Sequence, residues 1–297
     1  MRWVYHDRYD LNLGDHVFPA RKYRLIRDRL LAEGIASDGD FLAPEPVSDY
    51  DLLLVHDRGW IQRLKFGTLS YHEILQLEIP YSRQMVEGFW LACGGTVLAG
   101  RHALEAGVGF NIGGGFHHAF PDHGEGFCAV HDVAVAIRVL QREARIRKAL
   151  VIDCDVHHGN GTAAIFAADA TVSTISLHQF NNYPPVKPPS SIDVHLEDGT
   201  GDAEYLRKLS DTYPVAVQGF EPDIVFYVAG ADPYQQDQLG GLSLTMEGLR
   251  ERDRVVLEVA RGLGIPVAVV LAGGYAEKVE DTVAIHVNTA RVATGFY

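Results

Sequence analysis

A chain of 297 residues with 47% hydrophobic and 22% charged side chains can bury a sizeable core, which excludes long disorder. Its 39 acidic against 26 basic side chains give a formal charge of -13, which argues against a broad nucleic-acid surface; a generic solvated surface is the plainer reading of these acids, and an acidic rim that attracts a basic peptide or polyamine is the alternative. Cys93, Cys128 and Cys154 form no CxxC pair, the N-terminus lacks a signal-peptide stretch and no apolar run is long enough to span a membrane, so buried free thiols in a reducing, cytoplasmic setting are expected.

The pattern predicts a short strand and a loop over Val4 to Tyr9, then a helix over Lys22 to Glu33 with Gly34 as its C-cap. Pro44 and Pro46 mark a loop, Leu52 to Val55 is a compact apolar run, and Asp57 begins a helix carrying Trp60, Ile61 and Leu64. A long helix is expected over Glu87 to Ala106, stopped by Gly107 and followed by the apolar Val108 to Ile112. Val130 to Ala144 again reads as helix, and Ala149 to Ile152 is the clearest buried strand, ending in Asp153. Downstream come a short helix (Ala163 to Phe166) and apolar strands over Val172 to Leu177, Ile224 to Val228 and Pro266 to Leu271. Helices over Leu249 to Ala260 and Asp281 to Ala293 complete the alternation. Asn181 to Gly201, with four prolines, reads as one long irregular segment, of the kind that more often serves function than mere connection. Strands alternating with helices predict an α/β fold with a mostly parallel sheet covered on both faces, and no linker divides residues 1–297.

Polar clusters follow the carboxyl ends of these strands, where open α/β sheets place their ligands. In Asp153-Cys154-Asp155-Val156-His157-His158-Gly159-Asn160, Asp155 and His157 project the same way from an extended segment and offer an oxygen and a nitrogen to a divalent ion. Asp232, after another strand, can be the third donor, leaving a position for water; helix capping is the plainer reading of any one of these residues, but the set is costly to bury unpaired. His117 and His118 follow three glycines and make a proton-transfer pair if Asp153 orients the first and Asn160 the second. Tyr275, on the Gly273-Gly274 turn, can aim its hydroxyl at a developing oxyanion.

With Gly113 to His118, Asp153 to Thr162, Ala229 to Asp232 and Gly273 to Tyr275 in this order, the chain resembles the zinc-dependent histone deacetylase family of the arginase–deacetylase superfamily. That family includes bacterial acetoin-utilisation and acetylpolyamine amidohydrolase relatives, and the likeness runs from about Tyr5 to Thr289. His16-Val17-Phe18-Pro19, Lys22-Tyr23 and Gly67 to Ser70 resemble its short class IV-like branch. The resemblance implies a three-layer arginase/deacetylase-like domain that hydrolyses an N-acyl lysine or related amide. It makes Asp155, His157 and Asp232 zinc ligands, His117, His118, Asp153 and Asn160 the proton-transfer set, and Tyr275 the carbonyl-polarising group. It also implies a channel walled by Phe127 after Gly126, with Tyr183 opposite, and a potassium-type site around Asp153, Asp155, His157, Ser176 and Leu177.

Two departures from the family pattern stand out. Asn160 replaces a frequent aspartate, so its histidine is oriented without a direct countercharge. Ala272 replaces a frequent glycine, which is tolerable if its dihedrals are ordinary. Asp57, Glu73 and Glu78 lie where an acid grips the substrate backbone, and none is a secure match. Zinc is the expected cofactor, ferrous iron the alternative. The expected partners are an acylated lysine peptide or protein, or an acylated polyamine or small amine, with neither nucleic acid nor membrane. A two-manganese ureohydrolase is disfavoured because Pro233-Tyr234 follow Asp232 where a second metal-binding aspartate is expected. A non-catalytic acyl-lysine reader is the remaining alternative.

Overall fold

The computed structural model describes residues 1–295. Among the described residues, eight strands form one all-parallel sheet: β1 (Trp3–Val4), β2 (Phe41–Leu42), β3 (Val108–Asn111), β4 (Ala149–Asp153), β5 (Val172–Gln179), β6 (Ile192–Leu196), β7 (Ile224–Val228) and β8 (Val267–Val270). Their order across the sheet is β2-β1-β3-β8-β7-β4-β5-β6. β3, β4, β7 and β8 are buried along their whole length, as continuous apolar strands between two helical layers must be. No helix among the described residues is long and apolar enough to cross a membrane.

The long helix starts at Arg83, not Glu87, because the Ser82 hydroxyl accepts the Met85 N–H and caps it; Gly107 (φ 88°) ends it. It packs on β3 and on the helix Asp132–Arg142. The helix Met246–Gly262 begins earlier than its apolar spacing suggests, again at a hydroxyl cap from Thr245. All three cysteines are buried and free.

Several expectations need correction. The predicted strand over Val4 to Tyr9 is confined to Trp3–Val4, and Asp7–Tyr9 is a 3-10 turn. The Leu52 to Val55 run straddles the end of a short helix, Asp49–Leu52. Asn181 to Gly201 is not irregular throughout: Ile192, Val194 and Leu196 alternate with Asp193 and His195, and this half-buried strand pairs with β5. Two helices were not expected from the sequence. Tyr71–Leu77 opens on a Ser70/Glu73 capping box, and Asp202–Phe220 carries Pro214 in its interior.

One buried histidine ties the fold to pH. His56 donates from Nδ1 to the Phe120 carbonyl (3.0 Å) and accepts at Nε2 from the His131 N–H (2.9 Å), an arrangement open only to the neutral ring. Burial lowers its pKa from 6.5 to about 4. The unfolded chain therefore takes up this proton first, and stability falls as pH drops from 6.5 toward 4, by about 3 kcal/mol from this group. Urea melts at pH 7 and pH 4.5 should show a smaller acid loss in His56→Gln than in the parent; equal losses would refute the assignment.

Candidate active site

Four neighbouring strands in the middle of the sheet, β3, β8, β7 and β4, each deliver one motif at their carboxyl ends. Backbone bonding continues beyond the strands and fixes the loops against one another. Leu271 N–H meets the Gly113 carbonyl (3.3 Å), Ala231 N–H that of Gly273 (3.0 Å), and Cys154 N–H that of Val228 (3.0 Å).

Asp155, His157 and Asp232 converge with donor atoms within 4.8 Å of one another. His157 Nδ1 lies 3.0 Å from Asp155 Oδ1 and 3.4 Å from Asp232 Oδ2. A tetrahedral ion with bonds of about 2.0–2.1 Å separates its ligands by about 3.3 Å, so these spacings fit one. Each carboxylate is aimed by a backbone N–H: Gly273 to Asp155 Oδ2 (2.9 Å) and Val156 to Asp232 Oδ1 (2.9 Å). Asp232 Oδ2 is buried and accepts no hydrogen bond among the described residues. Burial and then the Asp155 charge push the Asp232 carboxyl above its usual range, since two acids share one dry space. The donor set thus fits a divalent ion. Gly273 must be glycine here, because a Cβ would stand 2.0 Å from Asp232 Oδ2.

The histidines lie beside this cluster with ring centroids 4.0 Å apart. His117 Nδ1 is 2.6 Å from Asp153 Oδ2. Burial works against a charge on His117, but the Asp153 and Asp155 carboxylates outweigh it and raise its pKa to about 9. His118 Nδ1 is 2.7 Å from Asn160 Oδ1, while Asn160 Nδ2 donates to Glu125 Oε1. A carboxylate only accepts, so Glu125 fixes the amide's orientation, Asn160 presents its oxygen, and His118 carries its proton on Nδ1. Burial, with His117 and His157 nearby, holds the His118 pKa well below 6.5, leaving an Nε2 lone pair.

Glu125 is the residue that motif reading missed. Burial opposes its charge, but hydrogen bonds from His123, Asn160, Gln76 and Tyr183 keep its pKa below the ordinary value. The countercharge expected to be missing behind Asn160 is therefore supplied one residue further out. Asp132, also unmarked in the sequence, accepts from the Gly115 and Phe116 N–H groups (3.0 and 2.8 Å) and positions the histidine loop. Asp237 accepts the Tyr275 N–H (2.7 Å) and does the same for the tyrosine turn.

Tyr275 is buried, and burial with the Asp155 and Asp232 charges holds its phenol well above its usual pKa, so the group is a donor. Above the cluster opens a cleft of about 190 Å³ lined by Glu78, His118, Gly126, Phe127, His157, Asn182, Tyr183, Leu239 and Tyr275. Phe127 stacks on Phe18 (centroids 6.1 Å) and meets Tyr275 edge-on, and Tyr183 stands edge-on to His118 (5.0 Å). Gly126 (φ 50°) lets the chain pass, since a Cβ would lie 2.7 Å from the His118 ring. Of the three acids considered for the mouth, Glu78 is the one that lines this cleft; Glu73 pairs with Arg63 and Asp57 precedes the helix Arg58–Phe66. Ser176 sits opposite Asp153 in the β4–β5 register, which sets Ser176 and Leu177 beside the strand end from which Asp155 and His157 follow.

Ala272 departs from the expected ordinary dihedrals. Its φ is 47°, the left-handed region that costs an L-residue roughly 1–2 kcal/mol. Two bonds hold it there: its N–H reaches the Gly114 carbonyl (3.2 Å), and its own carbonyl accepts from the fully buried Lys22 Nζ (2.6 Å).

Residues 16–290 match the histone deacetylase domain family. An uncharacterized protein of Picosynechococcus is 38% identical over 99% of this chain and 98% of its own length. Histone deacetylase 2 of Arabidopsis thaliana is 31% identical over 92% of this chain and 74% of its own. The crystal structure of the HDA15 HD domain superposes with a TM-score of 0.84 at 23% identity, covering 99% of this chain and 91% of that one, and so shares the fold.

Proposed function

The chain belongs to the histone deacetylase family, and from that premise we propose that it hydrolyses an N-acyl lysine, acetyl in the first place, to free amine and carboxylate with a bound divalent ion, zinc by preference. The observation that carries this reading is the buried Asp155–His157–Asp232 cluster, with one Asp232 oxygen left without a hydrogen bond, beneath a cleft shared by His118 and Tyr275. Such an ion, when bound, polarises the scissile carbonyl and lowers the pKa of a water molecule.

The chain's own groups do the rest. His118, its Nδ1 proton committed to Asn160, takes the water's proton at Nε2 and later passes it to the departing amine. His117, held by Asp153, shapes the field around that transfer. Tyr275 donates its hydroxyl to the oxyanion. Phe127 and Tyr183 flank the apolar stem of the substrate, and Glu78 accepts from its backbone N–H or attracts its charge. Ferrous iron suits the same donors, and the backbone around Asp153, Asp155, His157, Ser176 and Leu177 would hold a monovalent cation such as potassium.

A kinetic panel of acetyl- to long-chain acyl-lysine peptides and acetylated polyamines, run on protein of measured metal content, tests this. Turnover of acyl-lysine above acylpolyamine is expected, and Tyr275→Phe should lower kcat about 30- to 1,000-fold through loss of one oxyanion donor. Near-normal turnover in that variant would remove the role given to Tyr275. A preference for acetylpolyamine would reassign the substrate, and binding without acid release would make the protein a reader.

A further inference from the structure

Away from the cleft, on the far side of the β4 loop, three histidines and an aspartate meet at the open edge of the sheet. His178 on β5 and His195 on β6 are register partners, so their side chains share one face, and Asp193, two residues before His195, lies on that face too. The loop after β4 brings His158 onto the same patch. Its ring centroid lies 4.6 Å from that of His178 at 81°, and donor atoms of His158, His178 and Asp193 all fall within 4.8 Å of one another.

The contacts are ligand-like. His158 Nε2 is 3.2 Å from Asp193 Oδ1, and His178 Nε2 is 3.1 Å from His195 Nδ1. Both spacings lie close to the roughly 3.3 Å that separates neighbouring ligands of a tetrahedral ion with nitrogen and oxygen bonds of about 2.0–2.1 Å. Outer contacts orient the set: Ser176 Oγ is 2.9 Å from His178 Nδ1, and Asp193 Oδ2 accepts the Ser190 N–H at 3.0 Å. His158 and His178 are fully buried, whereas Asp193 is half-buried and His195 exposed, so an ion has a route in from solvent.

We propose that His158, His178, Asp193 and His195 form a second divalent-metal site, separate from the catalytic cluster and selective for zinc-class ions. Three imidazoles and one carboxylate favour such ions over calcium or magnesium, which take oxygen. The site clamps the edge strand β6 to β5 and to the β4 loop. That loop in turn holds the Tyr183 carbonyl through the His158 N–H (3.4 Å), so the clamp reaches a wall of the cleft.

The test compares the parent chain with Asp193→Ala/His195→Ala, and with His195→Ala alone because its exposed side chain leaves the core untouched. Each protein is stripped, dialysed against buffered Zn²⁺, and its bound metal measured by atomic emission, with Co²⁺ absorption as a second readout. The parent should hold one equivalent more than the double variant, and zinc should raise its melting temperature further. His195→Ala should bind that equivalent more weakly by at least the about 10–100-fold that outer-shell partners are worth. Hydrolytic activity should persist in both variants. The difference between the proteins carries the result, so it stands whether or not the catalytic cluster loads. Equal metal content in parent and double variant, with both folded, would overturn the site.

Discussion

His118→Ala is expected to lower kcat by about 10²–10⁴-fold while bound metal stays at the parent level. The variant removes the Nε2 lone pair that Asn160 and Glu125 hold ready, yet leaves Asp155, His157 and Asp232 in place. Metal content and pre-steady-state turnover, measured on the same sample, separate a lost base from a lost ion. A fall below tenfold would mean that another group takes the proton.

The second large effect is on stability. Arg252→Met is expected to cost about 3–5 kcal/mol, the range for breaking a buried ion pair by removing one partner. Arg252 and Asp253 are both fully buried, and the guanidinium donates to Asp253 from Nε and Nη2 (3.0 and 2.8 Å). Its Nη1 donates to the carbonyls of Gly230 (2.6 Å) and Cys154 (3.3 Å), residues that lead into Asp232 and Asp155. Asp253 retains Tyr227 and Thr289 as hydroxyl donors, but its charge would be unpaired. Urea unfolding gives the value; a loss under about 1 kcal/mol would show that hydroxyl donors and water are enough.

These two variants also mark what the sequence discloses. His118 and its companions were legible because each motif directly follows an apolar strand, and the strands end at one edge of a parallel sheet. Arg252 was not. Within Arg250-Glu251-Arg252-Asp253-Arg254 it reads as part of a solvated charged face, and helical phase alone does not show that one ion pair of that run turns inward. Glu125 stands between two glycines with no periodicity to mark it, and its meaning arises from a partner 35 residues away. The left-handed φ of Ala272 was unreadable because the bonds that hold it come from Gly114 and from Lys22, 250 residues earlier in the chain. β6 lay hidden behind prolines although its alternation was intact. The strand-end motifs were therefore visible, while long-range constraints, and local order close to prolines, were not.

The motifs follow the interior strands β3, β8, β7 and β4, whereas the Asn182–Tyr183 wall stands on the loop between β5 and the edge strand β6. The candidate site groups sit on loops that follow interior strands, and backbone N–H groups of neighbouring motifs aim Asp155 and Asp232, so a shift of one motif disturbs the others. The wall is tied from several sides: the Tyr183 hydroxyl donates to Glu125 Oε1 (3.2 Å), its carbonyl accepts the His158 N–H (3.4 Å), and Asn182 Nδ2 donates to the Leu239 carbonyl (2.9 Å). Changing the shape of that wall therefore requires breaking specific hydrogen bonds.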